Sequence, residues 1–171
     1  FGIGAAANKS FWVEIKVSTG TVASGFDFVA SADKAAWSSG AGTLTFPGSE
    51  GDAKGFVRKI DNPKLENGTA DSVPGLLAVP QNVYGGYIQG VYPAFKVQTG
   101  DRFQSIINCE FNATSCYVNF RLDYQIGSGA VKTFWSFNER YEGLFYRADL
   151  NLNSLAGQEV KFILYVGAAG Y

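Results

Sequence analysis

The sequence predicts an all-β protein: one antiparallel β-sandwich or jelly roll with long loops. Three observations carry this reading. Apolar and polar residues alternate with period two through roughly the last sixty residues. No segment holds a helical period over a dozen residues. Turn residues recur at short intervals. From Cys116 onward, Val118, Phe120, Leu122 and Tyr124 alternate with Tyr117, Asn119, Arg121 and Asp123. Leu144, Tyr146, Ala148, Leu150 and Leu152 alternate with Phe145, Arg147, Asp149 and Asn151, and Val160, Phe162, Leu164 and Val166 repeat the pattern. Such alternation puts one face of a strand in the core and the other in water, as in antiparallel sheets.

The elements follow in chain order. Residues 1–8 are small and apolar, with Phe1, Ile3, Ala5 and Ala7 on one side of an extended chain and Gly2, Gly4 and Ala6 on the other. They read as an N-terminal extension able to act as a donor strand, ahead of a sandwich domain over residues 9–171. A strand follows, with Phe11, Val13, Ile15 and Val17 inward and Trp12, Glu14 and Lys16 outward. Gly20 and Gly25 mark a turn, residues 31–36 suit one helical turn, and residues 43–46 suit a short strand. The stretch 47–82 carries Pro47, Pro63, Pro74 and Pro80 and reads as long loops around one strand at 55–60. Residues 87–97 are strand-like, Gly100-Asp101 is a turn, and Gly127-Ser128-Gly129 and Glu142-Gly143 separate the clean strands beyond. About nine to eleven short strands are expected.

Composition excludes several functions. Net charge is −1 and no basic run occurs, which argues against nucleic-acid and anionic-membrane partners. No apolar stretch reaches the ~18 residues of a membrane-spanning helix. The chain starts at Phe1 and has no Met, so a mature chain without its signal peptide is expected. Cys109 shares strand parity with Phe103 and Ile107, and Cys116 with Val118 and Phe120, across a turn-like segment. That placement predicts a disulfide across a hairpin, the alternative being two buried thiols, and hence an oxidising compartment. Sequons at Asn8, Asn67 and Asn112 point to a secreted glycoprotein. The expected location is extracellular, at the cell surface.

With no His, the Ser-His-Asp and Cys-His arrangements and the common zinc sites are absent. Glu139 and Glu142 are a candidate carboxylate pair of the kind glycosidases use, but they read as a polar hairpin turn with ion pairs, and no enzymatic activity is expected. Glu50, Asp52, Asp61, Glu66 and Asp71 lie in the long loops. Asp52, Asp61 and Asp71 are candidate ligands for a structural calcium ion, against a reading as solvated loop charge. Trp12, Tyr84, Tyr87 and Tyr92 are candidates for sugar stacking, for a partner surface or for core filling.

The segment from Asp149 to Phe162, DLNLNSLAGQEVKF, resembles a corner of secreted jelly-roll domains, the galactose-binding-like and carbohydrate-binding modules. In those, a strand ending in Asp-Leu leads through a Leu-Ala-Gly turn into the next strand. Residues 100–162 also resemble domains of large bacterial surface proteins. The resemblance covers about the last third of the chain, implies the architecture and transfers no ligand residues. The expected function is an extracellular structural subunit that polymerises with identical subunits into a filament or surface assembly, by donor-strand exchange of residues 1–8. The alternative is a secreted carbohydrate-binding module.

Overall fold

A computed structural model describes the backbone of residues 11–18 and the whole of residues 25–170. Strands β1 (Phe11–Ser18), β2 (Ala36–Ser39), β3 (Gly42–Thr43), β4 (Phe56–Ile60), β5 (Gly75–Val79) and β6 (Tyr87–Val91) come first in the chain. Then come β7 (Phe95–Lys96), β8 (Arg102–Cys109), β9 (Tyr117–Ile126), β10 (Lys132–Arg140), β11 (Tyr146–Asn151) and β12 (Glu159–Ala168). Two single 3₁₀ turns, Ala32–Lys34 and Asn153–Leu155, are the only helical elements among the described residues.

The strands form two antiparallel sheets. Sheet A has the order β11-β8-β1-β5-β4, and sheet B has the order β10-β9-β12-β6-β2-β3, with β7 also paired to β12. The all-β reading therefore holds. The alternation read in β9 and β12 holds too: Val118, Phe120, Leu122, Val160, Phe162, Leu164 and Val166 are all buried. The helical turn expected at 31–36 is the 3₁₀ turn at Ala32–Lys34.

Three expectations need correction. The stretch 47–82 holds a second strand, β5, all five residues of which are buried. The run GLLAV does not alternate because both its faces are covered, so a search for period two passes over it. The strand expected at 87–97 is split into β6 and β7 around Tyr92-Pro93-Ala94; Pro93 has no N–H to extend a ladder. Leu144, expected in the inward row, is 52% exposed at the β10–β11 turn.

The core lies between the sheets. Phe28 is its hub, edge-on to Tyr92 at 4.8 Å, Phe103 at 5.8 Å and Phe162 at 6.1 Å. The Tyr92 hydroxyl donates to the Phe28 carbonyl at 3.0 Å, and burial pushes its ionisation well above the ordinary tyrosine range. A smaller cluster of Phe56, Leu77 and Val79, with Ile60 against it, covers the outer side of β4 and β5.

Candidate functional site

Two features stand out: the position of β1, and a buried carboxyl cluster at one end of that strand. β1 is central in sheet A. Its eight residues pair in register with β8, from Phe11 opposite Cys109 to Ser18 opposite Arg102, and Phe11–Val13 pair with Ala78–Leu76 of β5. By register, Phe11, Val13 and Val17 stand in the row of the core residues Ala78, Leu76, Ile107, Cys109 and Phe103. Strands β5 and β8 do not pair with each other. They form the two walls of a slot one strand wide, and adjacent strands about 4.8 Å apart put those walls about 10 Å from each other.

The carboxyl cluster lies at the Phe11 end of the slot. Glu66 sits in the loop between β4 and β5 and is 1% exposed, although carboxylates are seldom buried unpaired. Its side chain is held by backbone donors from two hairpins. The N–H of Cys109 donates to Oε2 at 2.9 Å. The N–H groups of Glu142 and Gly143 donate to Oε1 at 2.5 and 2.6 Å, and that of Leu144 at 3.4 Å. The Glu66 N–H in turn donates to Asn108 Oδ1 at 2.7 Å. One side chain thus ties the loop before β5, the end of β8 and the β10–β11 turn. The Cys109–Cys116 disulfide closes the neighbouring β8–β9 hairpin with a Cα–Cα distance of 6.1 Å, as the strand parity of the two cysteines predicted.

Glu139, near the end of β10, is also 1% exposed, and neither of its oxygens has a hydrogen-bond partner among the described residues. Burial, then the charge and carboxyl oxygens of Glu66, then the charge of Glu142, push its carboxyl up to about 9. At neutral pH it is the acid form, so no second negative charge stands beside Glu66. Glu142 points outward and accepts from the Tyr146 hydroxyl, which that bond pushes up to about 12. The sequence pairs Glu139 with Glu142; the fold pairs Glu139 with Glu66. Glu66, Cys109 and Glu139 bring ligand-type atoms within 4.8 Å of one another, but the Cys109 sulfur is spent in the disulfide. Two carboxyls are far short of the six to eight oxygens that calcium takes.

The structure does not gather the calcium candidates. Asp52 and Asp71 each accept a backbone N–H two residues on, from Lys54 at 2.9 Å and Val73 at 3.0 Å, and Asp61 pairs with Lys59 at 3.5 Å. These are turn and surface roles, and none of the three joins a cluster of potential ligands among the described residues. The aromatic candidates also separate. Tyr92 is a core residue, 1% exposed, and so is no stacking platform. Tyr84 is 80% exposed in the loop before β6. Tyr87 lies on the outer face of sheet B, stacked on Tyr165 with centroids 5.6 Å apart. The Arg121 guanidinium sits 3.7 Å from the Tyr165 ring centre and is held by Asp123 at 2.7 Å. Trp12 is described by its backbone alone, opposite Leu77 and Asn108.

Asn67 and Asn112 are exposed, in two loops that meet where Gly68 packs on the Phe111 ring. The Asn67 side chain accepts the Thr69 N–H at 3.0 Å, and Asn112 has φ 69°. Phe1, Ile3, Ala5, Ala7 and Asn8 lie outside the described residues. Compared with models of known families, with curated proteins and with solved structures, the chain matches none.

Proposed function

We propose that this chain is an extracellular structural subunit that polymerises by passing its N-terminal strand to a neighbouring copy. The place of β1 carries this reading. β1 precedes both of its partners in the chain and fills the middle of a sheet, between walls that begin only at Gly75 and Arg102 and do not pair with each other. β1 shares no hairpin with either wall, so the same strand from a second copy would make the same ladder. Residues 1–8 would lead the donated strand, with Phe1 and Ile3 as its first anchors. Burying Phe11, Val13, Ile15 and Val17 would contribute roughly 6–12 kcal/mol before ordering costs. Passing the strand from each copy to the next gives an open polymer unless it closes into a ring. The disulfide fits an oxidising extracellular setting.

Lys16 and Gln104 are partners across β1 and β8, on the row away from the core. With Lys16→Cys and Gln104→Cys in one chain, oxidation should give a ladder of covalent oligomers on a non-reducing gel. Cross-linked monomer alone would mean that each copy keeps its own strand.

A second reading, carbohydrate binding, draws on the Tyr87–Tyr165 stack and Arg121 on the outer face of sheet B. Affinity electrophoresis against neutral polysaccharides, with Tyr165→Ala as control, tests it. Retardation that this change abolishes supports the reading, and unaltered migration in every polysaccharide ends it.

A further inference from the structure

Resting on the reading of the chain as a strand-exchanging subunit, we infer that Glu66, with the buried Glu139 carboxyl beside it, is the clamp that holds the two walls of the β1 slot one strand apart. The argument starts from what remains of sheet A without β1. Its pairings then fall into two separate pieces, β11-β8 and β5-β4. No backbone ladder joins the pieces, so their spacing depends on what bridges them elsewhere. Glu66 is such a bridge. It belongs to the loop leading into β5, and it binds Asn108 and Cys109, the last two residues of β8. The same carboxyl takes up the β10–β11 turn at Glu142 and Gly143, which fixes the start of β11 as well. The clamp closes beside the position of Phe11, whose Cα partners are Cys109 on one wall and Ala78 on the other.

The Glu139 proton decides whether the clamp is closed. Glu66 faces Glu139 from β10, with Val118 of β9 opposite Glu139 and the disulfide beside it. The charged groups acting on Glu139 are Glu66 and Glu142, both acidic, and the Tyr146 hydroxyl from β11 is engaged with Glu142. Among the described residues no Lys or Arg pairs with any of these carboxyls. A second buried negative charge therefore has no counter-ion, and losing the proton sets the two carboxyls against each other. Glu66 is a positioning residue: it acts on the incoming strand through the geometry of the walls.

The test uses the full-length protein at pH 7 and pH 10, as wild type and as Glu139→Gln, whose amide keeps a donor and cannot titrate. Polymer is measured by sedimentation. Amide exchange at Cys109, Glu142 and Gly143, corrected for the intrinsic effect of pH, is read on the same samples. At pH 10, one unit above the value of about 9 for Glu139, about a tenth of the closed clamp remains, so wild-type polymer should fall roughly tenfold and those amides should lose protection. Glu139→Gln should hold both at their pH 7 level. Equal responses to pH in the two proteins would overturn the inference. If neither protein polymerises at either pH, the strand-exchange reading fails, and amide exchange alone decides whether the clamp exists.

Discussion

Trp37 and Gly90 are cross-strand partners in sheet B, and the Trp37 ring lies where a side chain on Gly90 would stand. A β-carbon built there would come 2.7 Å from the ring. The ring is fixed from its other end, because its indole N–H donates to the Ala32 carbonyl at 2.8 Å. It cannot retreat without leaving its own buried indole N–H unpaired.

Gly90→Ala should therefore destabilise the fold by about 1–3 kcal/mol, the usual range for overpacking a filled core. Thermal melting checks this. For a domain of this size the midpoint should drop by roughly 2–4 °C per kcal/mol. A midpoint unchanged within error would show that the ring has room to move.

Removing the disulfide by Cys109→Ala with Cys116→Ala should cost roughly 2 kcal/mol, because the closed loop is short. The sandwich should still fold, since the Cys109 backbone N–H still reaches Glu66. Denaturant titration of the double variant gives the loss directly, and a shift of the midpoint at constant slope is the expected form.

Stability should decline as pH rises. The folded protein holds the Glu139 proton up to about 9, whereas the unfolded chain releases it near 4.5. Folding therefore takes up a proton between these values. The contribution is complete below the lower one and is lost progressively toward the upper one. Denaturant midpoints of wild type and Glu139→Gln, compared from pH 4 to pH 10, should diverge in that direction. Parallel curves would show that Glu139 titrates alike in both states.

Tyr92→Phe removes the hydroxyl that donates to Phe28 while keeping the ring contacts with Phe28 and Trp37. The expected cost is about 1 kcal/mol, that of one buried hydrogen bond. A larger loss in thermal melting would mean that the ring itself had shifted.

Much of the fold was legible because alternation is a local signal. Val118 to Leu122 and Val160 to Val166 announce one-sided strands, and the strand parity of Cys109 and Cys116 gives the disulfide. β5 was hidden for the opposite reason: Leu76, Leu77 and Ala78 are buried on both faces, so no period marks them. The candidate site was legible only in its parts. Glu66 and Glu139 were each visible as carboxylates in a turn or loop. Their meeting depends on how the loop before β5 folds over the ends of β8 and β10, and no spacing in the chain encodes that. The Gly-rich surroundings of Tyr92 leave it open between a surface platform and core filling; its backbone N–H donates to the Phe162 carbonyl, and the ring lies in the core.

The position of β12 governs when this sandwich can take shape. β12 pairs with β9, β6 and β7, so sheet B has no continuous ladder until residues 159–168 are present. During synthesis the preceding strands emerge first and lack their central partner, with Phe120, Leu122 and Ile88 uncovered. Sheet B therefore closes only after residues 159–168 have emerged. Until then the uncovered apolar rows are surfaces prone to associate.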